Sequence, residues 1–155
     1  MSTHYKGSVK ERLVLDTWIK FSRAKDTLDT IIRRDVEEQG LTISQFGVLE
    51  ILLHLGPLCV GEIGTKLLMT SSNLVTVIDN LVKQTMVEKK PSEADRRSVI
   101  IHLTPKGRDM IQPIFHNHLN VLLECFSVLK NEQLKSLGSL SRELGLNQSH
   151  KKELL

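Results

Sequence analysis

The stretch MTSSNLVTVIDNLVKQTMVEKKPSEADRRSVIIHLTPKGRDM, Met69 to Met110, changes its hydrophobic period partway along. In its first part Leu74, Val77, Ile78 and Leu81 recur every three or four residues, which lays an apolar stripe along one side of a helix. Thr70 or Ser71 offers that helix an N-cap. After Gln84 the period falls to two. Met86 and Glu88 alternate against Val87, and Val99, Ile101 and Leu103 alternate against Ile100 and His102. Two such runs joined by the polar PSEADRRS read as a β-hairpin. Thr104 followed by Pro105 is an N-cap with proline at the first helical position, so the chain passes straight from strand into helix.

Working outward, Cys59 to Leu68 reads as a short helix with Ile63 and Leu67 on one face. Before it, SQFGVLEILLHL forms a helix that Thr42 or Ser44 caps and Gly56-Pro57 stops. From Val9 to about Gln39, a long amphipathic helix carries Leu13, Trp18, Phe21, Leu28, Ile31, Ile32 and Val36, and Gly40 ends it. Beyond Pro105 a long helix keeps an apolar face through Ile111, Ile114, Phe115, Leu119, Leu122, Leu123 and Phe126. A last helix carries Leu134, Leu137, Leu140 and Leu144 before a polar tail.

The expected fold is mainly α: about six helices plus a two-stranded hairpin, in one domain over residues 1–155. The terminal helices, about 8–39 and 105–146, have more apolar face than one small core needs. A six-helix bundle would bury it within the chain, and a second copy would bury it in a two-fold dimer. The dimer is the expectation, because the central helices and hairpin already make a core of their own.

The 155 residues suffice for one core, and the 40% hydrophobic and 25% charged shares are those of a soluble globular protein. A net charge of +3 permits an anionic partner. The N-terminus has no apolar signal region, and Glu50 and His54 interrupt the richest apolar run, so no membrane association and a cytoplasmic location are expected. Cys59 and Cys125 form no C-x-x-C pair and read as small apolar residues. No phosphate loop, dinucleotide fingerprint, H-E-x-x-H or nucleophile elbow is present, so neither an enzyme nor a cofactor is expected. His116 and His118 lie two apart on a helix and diverge, whereas a helical metal pair wants four-residue spacing. No metal site is expected there.

Short helix, tight connection, second helix, hairpin is the order of a winged helix-turn-helix. The first helix props the second so that its N-terminus can enter a major groove about 12 Å wide. Thr70, Ser71, Ser72 and Asn73 open that helix with small polar side chains and a positive dipole end suited to phosphate. Ser72, Asn73, Thr76 and Asn80 are the candidate base readers. At the hairpin tip Asp95 stands two residues before Arg97, close enough to orient its guanidinium. Arg97 is the candidate for the narrow, negative minor groove, with Arg96 and Lys90 on phosphates, although the two arginines can exchange roles. Between Cys59 and Arg108 eight basic residues stand against five acidic ones, an excess equal to that of the whole chain.

This run resembles the core of a MarR-family transcriptional regulator. The wing motif D-x-R-x-x-x-I-x-L-T is present as Asp95, Arg97, Ile101, Leu103 and Thr104, with PKG opening the next helix. The resemblance implies a DNA-binding part over about 41–108 and a homodimer on a pseudo-palindromic double-stranded operator. It also implies repression, often relieved by a small-molecule effector held between the dimer helices and the winged part. The chain departs from the family pattern at Thr85, where glycine is usual, and at Lys89, where arginine is. Thr76 and Asn80 stand where basic residues are often found, and Lys83 cancels Asp79, so the helix is neutral. A neutral helix also suits a different class of protein, a winged-helix protein-interaction module with little specific DNA binding; a steep salt dependence of DNA binding separates the two.

Overall fold

The computed structural model describes residues 4–92 and 98–152, with side chains through 145. Among them are six helices and three strands in the order α1 (Val9–Glu38), α2 (Ile43–Leu55), β1 (Leu58–Cys59), α3 (Val60–Leu67), α4 (Ser71–Lys83), β2 (Val87–Pro91), β3 (Val99–Leu103), α5 (Pro105–Phe126) and α6 (Asn131–Lys152). Residues 1–119 form one compact unit and residues 120–155 a second.

In the first unit the helix boundaries follow the capping chemistry of the sequence. Ser8 and Glu11 close a capping box on α1, and Thr42 and Gln45 close one on α2. Of the two caps offered for α2, Thr42 is the one used. At the end of α1 Gly40 adopts φ 81°, its N–H donates to Glu37, and the N–H of Leu41 donates to Val36. This is a Schellman stop, with Leu41 and Val36 both buried beside it.

The expected two-stranded hairpin has a third strand. Leu58 pairs with Ile101 and Cys59 with Ile100, antiparallel, giving the sheet order β1-β3-β2. Two residues are too few to show a period, so β1 merged with the start of α3 in the sequence pattern. Opposite it, β2 pairs with β3 from Val87↔Leu103 to Pro91↔Val99. The expected alternation of Met86 against Val87 fails, since both are buried. Met86 precedes the strand, in the turn that ends α4, and therefore escapes the pleat.

The core of this unit gathers Val48, Leu49 and Leu52 of α2, Ile63 of α3, Leu74, Ile78 and Leu81 of α4, Ile101 of β3 and Ile111 of α5, all at most 1% exposed. Burying each stabilises the fold by about 2 kcal/mol. Along α1, by contrast, Leu13, Trp18 and Phe21 of the expected inward stripe are 60%, 62% and 40% exposed. In the second unit Leu123, Val128, Leu140 and Leu144 are exposed too. Among the described residues no helix is long and apolar enough to cross a membrane.

Candidate nucleic-acid interface

Helix α4 sorts its residues cleanly between two faces. Leu74, Ile78 and Leu81 are fully buried, while Ser71, Ser72, Asn73, Thr76 and Asn80 are exposed, as is the N-cap Thr70. Every expected reader therefore faces away from the core. Thr70 makes no side-chain cap, because its hydroxyl lies 3.5 Å from that of Ser72 instead. No side chain thus competes with a ligand at the first turn of α4, where N–H groups and the dipole favour an anion. Thr76 turns its hydroxyl back to the Ser72 carbonyl at 3.3 Å, a bond that must rotate away for Thr76 to read a base.

α3 holds this helix through an unusual turn. Cys59 is its N-cap: the Sγ accepts from the N–H of Glu62 at 3.5 Å, and the Glu62 carboxylate accepts from the N–H of Cys59 at 2.8 Å. That backbone bond, reinforced by the Cys59 side chain, holds the Glu62 carboxyl below its ordinary range. At the other end Leu68 takes the left-handed conformation, φ 52°, and the residue is 94% exposed.

The wing strands carry their charges in pairs. Lys89 Nζ lies 2.5 Å from Asp79 Oδ1 of α4, and Lys90 Nζ lies 2.7 Å from Glu88 Oε1. The acid of α4 is therefore neutralised by the wing, and the candidate phosphate contact Lys90 is engaged with a neighbour. Asp95, Arg96 and Arg97 lie outside the described residues. The strand ladder reaches their edge, where the N–H of Ser92 donates to the Ser98 carbonyl at 2.9 Å.

Where α4 ends, the chain forms a second Schellman stop, with Thr85 in glycine's place at φ 58°. The N–H of Thr85 donates to Val82 and that of Met86 to Leu81. The Thr104 hydroxyl donates to the Thr85 and Met86 carbonyls at 2.8 and 3.1 Å and accepts from the N–H of Gly107 at 3.0 Å. It thus caps α5, as its sequence position implies, and closes the root of the wing as well. A Cβ on Gly107 would lie 2.0 Å from the Met86 carbonyl oxygen, so this close approach of two backbones requires glycine.

Two features had no clear sequence signal. His118 of α5 and Asp35 of α1 pair at 3.1 Å, their side chains 7% and 13% exposed, with the Phe46 ring 4.7 Å from the imidazole. The carboxylate only accepts, so Nδ1 donates. A groove of about 550 Å³ runs between α2 and α5, lined by Leu53, His54, Arg108, Gln112, Phe115 and His116. His54 meets Phe115 edge-on at 4.5 Å. Of the HNH pair, one histidine is thus buried in a hydrogen bond to Asp35 and the other lines this groove. Among the described residues no group of three or more potential metal ligands occurs.

A helix-turn-helix with a three-stranded wing, its second helix presenting an outward polar face, defines the class of winged-helix regulators. The sequence model of the MarR family matches residues 41–99. The chain is 31% identical over 133 residues to the HTH-type transcriptional regulator MhqR of Bacillus subtilis, an alignment covering 86% of this chain and 92% of that one. The crystal structure of AbsC, a MarR family transcriptional regulator from Streptomyces coelicolor, superposes with a TM-score of 0.84 at 17% identity, covering 94% of this chain and 99% of that one. That of Sco3205, a MarR family regulator from the same organism in complex with DNA, gives 0.79 at 22% identity, covering 92% and 90%. The chain belongs to the MarR family of HTH-type transcriptional regulators.

Proposed function

We propose that this regulator works as a homodimer on a pseudo-palindromic duplex, with the two copies of α4 in successive major grooves and the wing tips in the flanking minor grooves. The observation that carries this reading is the outward face of α4, where Ser72, Asn73, Thr76 and Asn80 stand exposed around an N-terminus without a side-chain cap. Residues 41–108 are the DNA-binding part in this reading. Exposed apolar residues on α1 and in the second unit supply the dimer contacts. Because α4 carries no net charge, the wing arginines supply the main electrostatic anchor, Arg97 in the minor groove and Arg96 on phosphate. Occupancy of the operator represses transcription.

A small-molecule effector belongs to the same proposal, seated in the α2–α5 groove. Arg108 and His116 suit a carboxylate there, and Phe115 with His54 suits an aromatic ring. Titrating a duplex under increasing salt tests the DNA-binding core of the reading. Each phosphate contact contributes about −0.9 to the slope of log affinity against log salt. A slope near zero would point instead to a protein-contact module.

A further inference from the structure

The side chain of Lys106 lies where its own helix does not favour it. It sits on the first turn of α5, the positive end of that dipole, where an acidic residue is preferred. Its ammonium reaches across to the negative end of α4 and donates to the Gln84 carbonyl at 2.8 Å and to the Thr85 hydroxyl at 3.0 Å. Both acceptors belong to the turn in which Thr85, a β-branched residue, is held at φ 58°. That conformation crowds a side chain against its own carbonyl and persists only where neighbours over-determine it.

The equivalent stop at the end of α1 uses Gly40 at φ 81° and needs no such clamp. At Thr85 two groups take the place of glycine's freedom. The Thr104 hydroxyl holds the carbonyl side of the turn, and the Lys106 ammonium holds the helix side.

We propose that Lys106 is a positioning residue for DNA recognition: by clamping the C-terminal carbonyl of α4 it fixes the angle at which the reading helix leaves the protein, and it does so without touching DNA. The proposal rests on α4 being the reading helix.

The test compares the full-length wild type with Lys106→Met, Lys106→Arg, Thr85→Gly and the double variant Lys106→Met/Thr85→Gly. Each is titrated against a duplex bound by the wild type, at several salt concentrations, with folding followed by circular dichroism. Lys106→Met is expected to lose about tenfold in affinity, comparable to releasing one strained turn, with its log-log salt slope unchanged. Lys106→Arg is expected to restore most of the loss. The double variant is expected to recover to within about twofold of Thr85→Gly alone, because glycine holds the turn without a clamp. A slope that falls by about 0.9 would make Lys106 a phosphate contact and overturn the proposal, as would unchanged affinity in Lys106→Met or failure of glycine to rescue. If the wild type itself binds no duplex in a salt-dependent manner, it is the DNA-binding reading that fails.

Discussion

Lys89 on β2 and Asp79 on α4 form an ion pair at 2.5 Å, so the wing supplies a cation to the helix's own acid. The pair spans the two elements that, in the proposed reading, face DNA together. Its side chains are 41% and 47% exposed, so solvent screens it and its stability contribution is small. A double-mutant cycle with Asp79→Asn and Lys89→Met should give a coupling below about 1 kcal/mol in denaturant unfolding. Its effect on DNA should be larger: Lys89→Met bares the carboxylate toward phosphate and should weaken binding, while adding Asp79→Asn should recover part of the loss. Equal affinity of Lys89→Met and wild type would show that the pair has no part in recognition.

Leu68 holds φ 52° with its side chain in solvent, so it has strain to lose and almost no burial to forfeit. Leu68→Gly should stabilise the protein by about 1 kcal/mol, the left-handed penalty less the extra entropy of glycine in the unfolded chain. Thermal or denaturant unfolding checks this. A destabilised variant would mean that the Leu68 side chain is held by something, such as a second protein surface.

The His118–Asp35 pair joins α5 to α1 under cover of Phe46. His118→Ala leaves a nearly buried carboxylate without its donor and should cost about 2–3 kcal/mol in unfolding free energy. His118→Asn, which keeps a donor, should cost less than the alanine variant. Equal losses in the two would indicate that packing against Phe46, and not the hydrogen bond, is what the histidine provides.

Acid should loosen the start of α3. The folded protein depresses the Glu62 carboxyl below 4.5 through the Cys59 N–H, so this bond's contribution is present above that value. It is lost as pH falls through the depressed folded value, because the unfolded chain then binds the proton more readily. Melting temperature should therefore fall with pH in this range, and Glu62→Gln should flatten that part of the profile. An unchanged acid limb in the variant would remove Glu62 from the account.

Arg97→Ala should weaken operator binding sharply while leaving fold and oligomeric state intact, in a gel-shift series paired with sedimentation. Asn73→Ala should relax preference at one base step by about 1–3 kcal/mol. A uniform loss across sequences would make Asn73 a phosphate contact.

Much of the helix-and-wing frame was legible in the sequence because its signals are local. The 3.6-residue stripe of Leu74, Ile78 and Leu81 fixes which side of α4 faces outward, and the Thr104-Pro105 step marks the end of the wing. Resemblance flagged Thr85 as a position that wants glycine, and the structure explains why by its positive φ. Leu68 gave no such signal, since an ordinary leucine does not advertise a left-handed turn. β1 is too short to show a period, and it exists because β3 offers it an edge. Neither the Asp35–His118 pair nor the reach of Lys106 to Gln84 was readable, because each depends on how distant segments pack.

In the proposed reading, two copies of α4 read inverted half-sites on one duplex. Selection of bound sequences from a random duplex pool by the full-length protein tests it most directly. The expected result is enrichment of a pseudo-palindrome whose half-sites lie about one helical turn, roughly 10 base pairs, apart. A pool that shows no enrichment, or yields a single unrepeated half-site, would contradict it.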